Sequence, residues 1–213
     1  MASIDASQLL RDGLLEGVGV LVAGASSSPH PDGSLAGAVE PAVRQLAARV
    51  ACCGLLGEDS RCAEEEAIER DVERVLGDLG AIDLLAVDGA GLFAAAGAHE
   101  RDGLVVCLEA SWIITRAVVN RALLAEERPG RVVYLAPPPT AGAHADATRA
   151  GLENLARTLS IEWARHGVTP VTIAPGADTR PAEVAALTAY LASPAGAYFS
   201  GCLLDLRGPA AEV

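Results

Sequence analysis

Residues 82–91 read IDLLAVDGAG, a short apolar run that ends in an aspartate and two glycines. Apolar runs of about four to eight residues bounded by turn residues are typical of strands buried on both faces of a sheet. The glycines behind the run let the chain turn tightly into a helix. We therefore predict a strand that leads directly into a helix, which is the repeating unit of a parallel α/β sheet.

The same alternation of apolar strand and amphipathic helix extends in both directions from this stretch. The further predicted strands lie at 18–23, 49–57, 131–136, 168–176 and 201–208. The predicted helices lie at 35–48, at about 61–80 with Ser60 as N-cap, at 104–127, at 148–166 and at 181–193. Strands that are nearly continuously apolar indicate a sheet covered by helices on both faces. We predict one doubly wound α/β domain of the Rossmann type over residues 1–213.

Composition narrows the partners and the compartment. The 213 residues carry 28 acids against 16 bases, a formal charge of −12, which argues against a nucleic acid or an anionic membrane as partner. The N-terminus lacks the basic and apolar regions of a signal peptide, and no apolar run reaches the roughly 20 residues of a membrane span. The five cysteines match no metal motif, so we expect no metal site and buried free thiols in a cytoplasmic protein.

Four stretches resemble the short-chain dehydrogenases/reductases. IDLLAVDGAG (82–91) is similar to that family's ID-x-L-V-N-N-A-G segment, and RAGLENLARTLSIEWARHGV (149–168) to the helix that follows its Tyr-x-x-x-Lys motif. VTIAPGADT (171–179) resembles the strand that ends in Pro-Gly, and 181–208 the C-terminal helix and strand. Their order and spacing cover most of the chain from residue 82 onward, and the resemblance implies the fold of that family.

The resemblance also implies four catalytic positions, and each of them is replaced. The tyrosine position is Ala145 and the lysine position is Arg149, aligned through RAGLENLART. The serine position falls at Pro137 and the asparagine position at about Cys107. Alanine has no transferable proton, so general acid–base catalysis cannot run through residue 145. We therefore expect a degenerate member of the family with no activity of its own.

Substitute catalytic groups remain as alternatives. His144 precedes the missing tyrosine and could titrate near neutral pH, although a loop histidine beside a helix start is the simpler interpretation. Tyr134 is interpreted as a core residue with a satisfied hydroxyl. Arg149 could contact a ribose or a carboxylate, but we favour a solvated or ion-paired helix residue.

The cofactor site that the resemblance implies is also altered. The family's glycine-rich turn lets the pyrophosphate approach bare backbone N–H groups. Here Gly24 is kept, while the second and third glycine positions carry Ser28 and His30. The small residues around Gly89 fit helix packing as well as cofactor contact. We expect no bound cofactor; NAD(P) stays an alternative, with vestigial contacts from Gly24, Ser28, Gly89 and Arg149.

Two segments of the family are missing from this chain. Only RVACCGLLGEDS (49–60) stands where the family places two strands and a helix, so one crossover unit is absent. Glu58 and Asp59 could be read as the selector for the adenosine ribose. After the Pro-Gly strand, residues 178–180 pass straight into the next helix, without the helical lid that closes over substrate in the family.

The scaffold that survives suggests a structural role. In the family, the two long helices, here 104–127 and 148–166, pack against a second subunit. Both keep apolar residues, namely Val105, Val106, Trp112, Ile113 and Val119 on one and Leu152, Leu155, Leu159 and Trp163 on the other. We predict the non-catalytic subunit of a hetero-oligomeric NAD(P)-dependent ketoreductase or hydroxyacyl dehydrogenase, a dimer or tetramer with an intact paralogue. The alternatives are a divergent self-sufficient oxidoreductase and a homodimeric module that binds a small molecule.

Overall fold

A computed structural model describes residues 10–27, 30–96 and 100–207. Its six strands pair in parallel in the order β2-β1-β3-β4-β5-β6. The strands are β1 (Gly19–Gly24), β2 (Arg49–Gly54), β3 (Leu84–Val87), β4 (Gly130–Leu135), β5 (Val168–Ala174) and β6 (Leu203–Asp205). The predicted doubly wound parallel sheet is therefore confirmed.

Helices connect the strands and cover both faces of the sheet. They are α1 (Leu35–Gln45), α2 (Glu65–Leu79), α3 (Gly89–Ala95), α4 (Glu100–Val118), α5 (Ala145–Glu162) and α6 (Pro181–Ala192). The last turns after α4 widen into a π-helical segment, Val119–Leu124. Within the described ranges, no helix has both the length and the apolar character that crossing a bilayer requires.

The apolar core consists of two layers, one on each side of the sheet. Alternate side chains of one strand point to opposite faces, so Leu21 of β1 packs with α2, α4 and α5, while its neighbours Val20 and Val22 pack with α1 and α6. All three side chains are fully buried. Burial on both faces explains why the central strands read as continuous apolar runs in the sequence.

The strand order reverses between β1 and β3, so the topological switch point of the sheet lies at the carboxyl ends of those strands. The chain runs from β1 outward to β2 and then returns to β3 on the other side of β1. Ligands of open α/β sheets bind at such a switch point. A single strand, β2, connects α1 and α2 on this side of β1. With no further strand beyond it in the described sheet, β2 forms the edge. It is accordingly half-buried rather than buried as predicted.

Several predicted boundaries differ from the structure by a few residues, and the predicted cap of the acidic helix is wrong. Ser60 does not cap the acidic helix, which begins at Glu65 with Glu64 as its N-cap. Ser60 instead has a positive φ of 59° in a tight turn, where the backbone N–H of Gly57 donates to the carbonyl of Arg61. The antiparallel bridge between Leu56 and Cys62 closes this turn. The local turn therefore delays the helix start by about one helical turn.

The connection from β5 to α6 spans only residues 175–180, as expected for a chain without a lid. The Thr179 hydroxyl accepts a hydrogen bond from the Gly176 N–H at 2.8 Å and donates to the Leu206 carbonyl at 3.2 Å. Arg180 and Glu183 then form a capping box that starts α6. The short connection is thus fixed at both ends.

Candidate functional site

The four degenerate catalytic positions surround the carboxyl ends of β3, β4 and β5. Pro137 follows β4, Ala145 is the first residue of α5, and Arg149 lies one turn further along that helix. Cys107 faces the same region from α4, where its Sγ atom contacts the start of α3. The fold therefore groups the positions that the resemblance assigned to catalysis, but with different side chains.

Arg149 is buried and bridges the ends of two strands. Its Nη1 atom donates to the carbonyl of Pro137 at 2.9 Å and to the carbonyl of Pro175 at 2.7 Å. Only 7 % of the residue is exposed, so the first half of the interpretation as a solvated or ion-paired residue is wrong, while the ion-paired half agrees with two acidic neighbours. The carboxylates of Asp146 and Asp205 lie further away, at 3.8 and 3.9 Å. Proline carbonyls at the strand ends have no ladder partner, and the guanidinium satisfies them instead.

Burial lowers the pKa of the Arg149 guanidinium, and Asp205 partly opposes that effect. An arginine stays protonated in proteins even so, and each of its N–H groups can only donate. The residue therefore adds a fixed positive charge at the strand ends. It has no proton to exchange with a substrate near neutral pH.

Cys107 and Gly89 pack directly against each other. The thiol of Cys107 donates to the Gly89 carbonyl at 3.3 Å, and burial raises the pKa of the thiol to about 12. A Cβ atom on Gly89 would lie 2.9 Å from the Leu135 carbonyl oxygen and 3.2 Å from the Cys107 sulfur. Gly89 is thus required by helix packing, and Cys107 is a protonated core thiol rather than a nucleophile.

The substitute catalytic groups do not form an acid–base system. Tyr134 is fully buried, and its hydroxyl lies 3.0 Å from the Thr115 hydroxyl, which confirms the interpretation as a satisfied core residue. Burial raises the pKa of Tyr134 further above its ordinary value. His144 precedes α5 and is half-buried, and its carbonyl accepts from the Thr148 hydroxyl at 2.9 Å.

His30 packs over Gly24, the one glycine kept in the turn that the resemblance aligns with the family's pyrophosphate loop. A Cβ atom on Gly24 would lie 3.4 Å from His30 Cε1 and 3.6 Å from His30 Nδ1, so the imidazole covers the bare backbone. Ser28, the other altered glycine position, lies outside the described residues.

Asp88 takes the place of an anion at the N-terminus of α1, a role that the sequence analysis missed. Its carboxylate accepts from the N–H of Ala36 in the first turn of α1 at 3.2 Å and from the N–H of Gly91 in α3 at 2.9 Å. Ser34 accepts from the N–H of Gly37 at 3.0 Å. Two of the first three N–H groups of α1 are thus bound by the chain's own side chains, and a phosphate would have to displace Asp88. An aspartate directly before a helix start was the available signal.

Of the two proposed ribose selectors, Glu58 lines an open groove of about 600 Å³ between β2 and the loop after β1. Asp59 points elsewhere and lines a cavity of about 740 Å³ beside α4. Both residues are exposed and lie in the turn after β2. A third groove, of about 710 Å³, lies at the carboxyl edge of the sheet beside Thr179 and Arg207, next to the Arg149 bridge.

The paired helices α4 and α5 bury more of their apolar residues than the sequence predicted. Val106, Val119, Leu152, Leu159 and Trp163 pack into the core of their own chain. Trp112 stacks on Trp163, with ring centroids 6.5 Å apart and an interplanar angle of 7°. A stripe along α4 and α5 reaches the surface: Val105 is exposed, while Leu108, Trp112, Ile113 and Leu155 are partly buried and also pack against the core.

Comparison with known proteins identifies this architecture. No protein-family model matches the chain. A short chain dehydrogenase from Mycobacterium smegmatis superposes with a TM-score of 0.72 at 21% identity, covering 99% of each chain. The citronellol catabolism dehydrogenase of Pseudomonas aeruginosa PAO1 gives 0.70 at 24% identity, covering 95% of this chain and 98% of that one. A hydroxysteroid dehydrogenase from Escherichia coli gives 0.67 at 15% identity, with 94% and 100% covered.

Proposed function

We propose that this chain, which has the fold of the short-chain dehydrogenases/reductases, is a non-catalytic subunit that pairs with an intact member of that family. The intact partner would be an NAD(P)-dependent ketoreductase or hydroxyacyl dehydrogenase in the same cytoplasm, in a dimer or tetramer. That partner's class rests on analogy with the fold.

The observation that carries the proposal is the Arg149 bridge. In the family resemblance, this position holds the lysine that lowers the pKa of the catalytic tyrosine. Here the cation is committed to the carbonyls of Pro137 and Pro175, and the tyrosine position is Ala145. Neither Ala145 nor Arg149 can transfer a proton to or from a substrate oxygen near neutral pH, while the guanidinium stabilises the scaffold.

The filled anion site supports the same conclusion. Hydride transfer needs a nicotinamide cofactor, and a dinucleotide binds with its pyrophosphate on the first helix N-terminus of the sheet. His30 packs over Gly24, and Asp88 already accepts from Ala36 at that N-terminus. A buried carboxylate there repels a phosphate. A self-sufficient oxidoreductase is therefore the less favoured function.

The stripe on α4 and α5 is the surface we assign to the partner. Val105 is 52% exposed, and Leu108 and Trp112 follow it at helical spacing on the same side of α4. Arg116, one turn further on, covers part of Trp112, with its guanidinium carbon 5.8 Å from the ring centroid. An apolar stripe with an aromatic anchor and an arginine is typical of the core of a protein interface.

Co-expression with an intact homologue from the same genome tests the proposal. We expect the two chains to co-purify as a stable complex whose reductase activity exceeds that of the homologue alone. Separate purification of the two chains, with a homologue that is fully active by itself, would overturn the proposal.

Calorimetric titration with NAD⁺, NADH, NADP⁺ and NADPH separates this function from the enzymatic alternative. We expect no binding at submillimolar concentration to the isolated chain. Micromolar binding of any of the four would favour the self-sufficient oxidoreductase. The intact homologue serves as the positive control in the same buffer.

A further inference from the structure

Three side chains with metal-binding atoms converge beside β2, away from the degenerate catalytic centre. His30 comes from the loop after β1, Glu40 from the middle of α1 and Cys52 from β2. The nitrogen, oxygen and sulfur donor atoms all lie within 4.8 Å of one another. The three residues lie 10 and 12 positions apart in the sequence, and this spacing matches no metal-binding motif.

Hydrogen bonds within the chain account for only part of this cluster. Arg44 donates to Glu40 Oε1 at 3.0 Å and to the Val50 carbonyl at 3.1 Å, which fixes the carboxylate on the outer side. The Cys52 thiol is hydrogen-bonded to the same carboxylate. His30 Nε2, by contrast, is shielded from solvent and has no hydrogen-bond partner among the described residues. A buried imidazole nitrogen without a partner is costly and calls for a ligand.

The arrangement of the cluster suits a cation. The Glu40 carboxylate is negatively charged, and Arg44 contacts it with a side chain that is half exposed. A divalent ion bound between the imidazole, the carboxylate and Cys52 would displace the thiol proton and coordinate the thiolate.

The donor set selects the kind of ion. One thiolate, one imidazole and one carboxylate suit Zn²⁺, whereas Mg²⁺ and Ca²⁺ prefer oxygen ligands. Ligand atoms of a tetrahedral zinc site lie about 3.5 Å apart, given bond lengths of about 2.0–2.3 Å. Side-chain rotations that move the donor atoms by about an ångström reach that geometry. The Glu40 side chain keeps 18% of its surface exposed, which leaves a path for the ion.

We propose that His30, Glu40 and Cys52 bind one Zn²⁺ ion, with water at the fourth position. The site joins the β1 loop, α1 and β2 at the sheet edge that the missing crossover unit leaves uncovered. The ion would hold His30 over Gly24 and so help to keep the former phosphate site closed. The site is independent of the partner-subunit proposal, since none of its residues lies on α4 or α5.

Competition between the metal-free full-length chain and a chromophoric chelator measures Zn²⁺ binding. We expect one ion per chain. Loss of a residue that hydrogen-bonds to a metal ligand typically lowers metal affinity by about 10–100-fold. Loss of a ligand itself in His30→Asn, Glu40→Gln or Cys52→Ser should therefore weaken binding by at least about 100-fold. Co²⁺ in place of Zn²⁺ should give a thiolate-to-metal absorption band that Cys52→Ser abolishes.

Matched controls carry the same changes elsewhere in the chain. His166→Asn changes an exposed residue, and Cys202→Ser changes a residue beside β6 at the opposite edge of the sheet. Glu153→Gln removes a carboxylate that is paired with Arg157, just as Glu40 is paired with Arg44. All three should bind Zn²⁺ as the wild type does. Absence of micromolar binding to the wild type, or equal losses in the control and ligand variants, overturns the proposal. Circular dichroism confirms that each variant is folded.

Discussion

At the scale of single residues, two buried charged side chains pair main-chain groups at the ends of strands and the starts of helices. Arg149 satisfies two carbonyls at the strand ends, and Asp88 satisfies two N–H groups at helix starts. In open α/β sheets, ligands bind at this edge. Here the groups are paired internally, as expected because buried polar groups without partners are costly.

We predict that Arg149→Met destabilises the fold by about 2–4 kcal/mol, because two buried carbonyls lose a charged donor. The stability of Arg149→Lys should lie between those of Arg149→Met and the wild type, since the lysine ammonium can donate but lacks the planar guanidinium geometry. Urea unfolding measures both. Arg157→Met on the same helix is the control, because Arg157 is exposed and pairs only with Glu153. Equal stability of Arg149→Met and Arg157→Met would contradict the prediction.

Asp88 should make stability depend on pH in the direction opposite to most carboxylates. Burial raises its pKa, and the N–H groups of Gly91 and Ala36 only partly offset this. A carboxyl group with a raised folded pKa contributes stability below its unfolded pKa of about 4, and that contribution is lost as pH rises through the folded pKa. The wild type should therefore lose stability relative to Asp88→Asn as pH rises from about 4.

The measurement is the free energy of unfolding of both proteins in urea between pH 4 and pH 7. A lost N–H partner in Asp88→Asn adds a constant offset, so the slope of the difference carries the test. Asp32→Asn, at an exposed position before α1, should run parallel to the wild type. A difference between wild type and Asp88→Asn that stays flat with pH would disprove the assignment.

At the scale of elements, α2 shows how local sequence sets a helix boundary. The helix ends where Gly80 adopts a φ of 73° and donates its N–H to the Leu76 carbonyl. Only three residues earlier, Gly77 lies inside the helix with nothing within 4 Å of a would-be Cβ atom. The two glycines are close in sequence, but only the left-handed backbone at residue 80 requires glycine.

We predict that Gly77→Ala stabilises the protein by about 0.5–1 kcal/mol, because alanine loses less backbone entropy in a helix and meets no clash. Gly80→Ala should destabilise it by about 1–2 kcal/mol, because its left-handed conformation brings the Cβ atom against the backbone. Thermal unfolding of the two variants in one buffer measures the difference. Shifts of the same sign would show that the helix does not end as described.

At the scale of the whole molecule, the charge and the stripe on α4 and α5 bear on the association that we propose. The stripe on α4 borders the cavity of about 740 Å³ beside α2, whose lining includes Glu64, Asp102 and Glu109. An apolar centre with an acidic rim selects a partner that presents apolar residues framed by cations. The net charge of −12 disfavours association of the chain with itself over a less acidic homologue.

We predict that Val105→Glu prevents formation of the complex with the intact homologue while the isolated chain stays folded. Val105 is 52% exposed, so a carboxylate there costs little in the monomer but is buried without a partner in the complex. Size-exclusion chromatography with light scattering measures the complex. Tyr198→Glu is the control, since Tyr198 is 91% exposed beyond α6. Loss of the complex in both variants, or in neither, would place the interface elsewhere.

Some structural features of this protein can be predicted from its sequence, and others cannot. The alternation of strands and helices follows from hydrophobic periodicity and turn residues, which act over a few neighbouring positions. The buried Tyr134 was predicted for the same reason. The missing crossover unit and the short β5–α6 connection were implied by the resemblance to the family. Ser60 was assigned wrongly, because the bridge between Leu56 and Cys62 outweighs its preference for a helix cap.

By itself, the sequence determined the fold, and its resemblance to the family predicted that four catalytic positions are replaced, because both depend on residue type at fixed positions along the chain. Only the tertiary structure decided what the replacements do. The Arg149 bridge joins the ends of β4 and β5, Asp88 reaches from β3 to α1, and His30 meets Glu40 and Cys52 across three elements. Hydrogen bonds and metal coordination act over about 2–3.5 Å, and only the folded sheet brings residues so distant in sequence within that range.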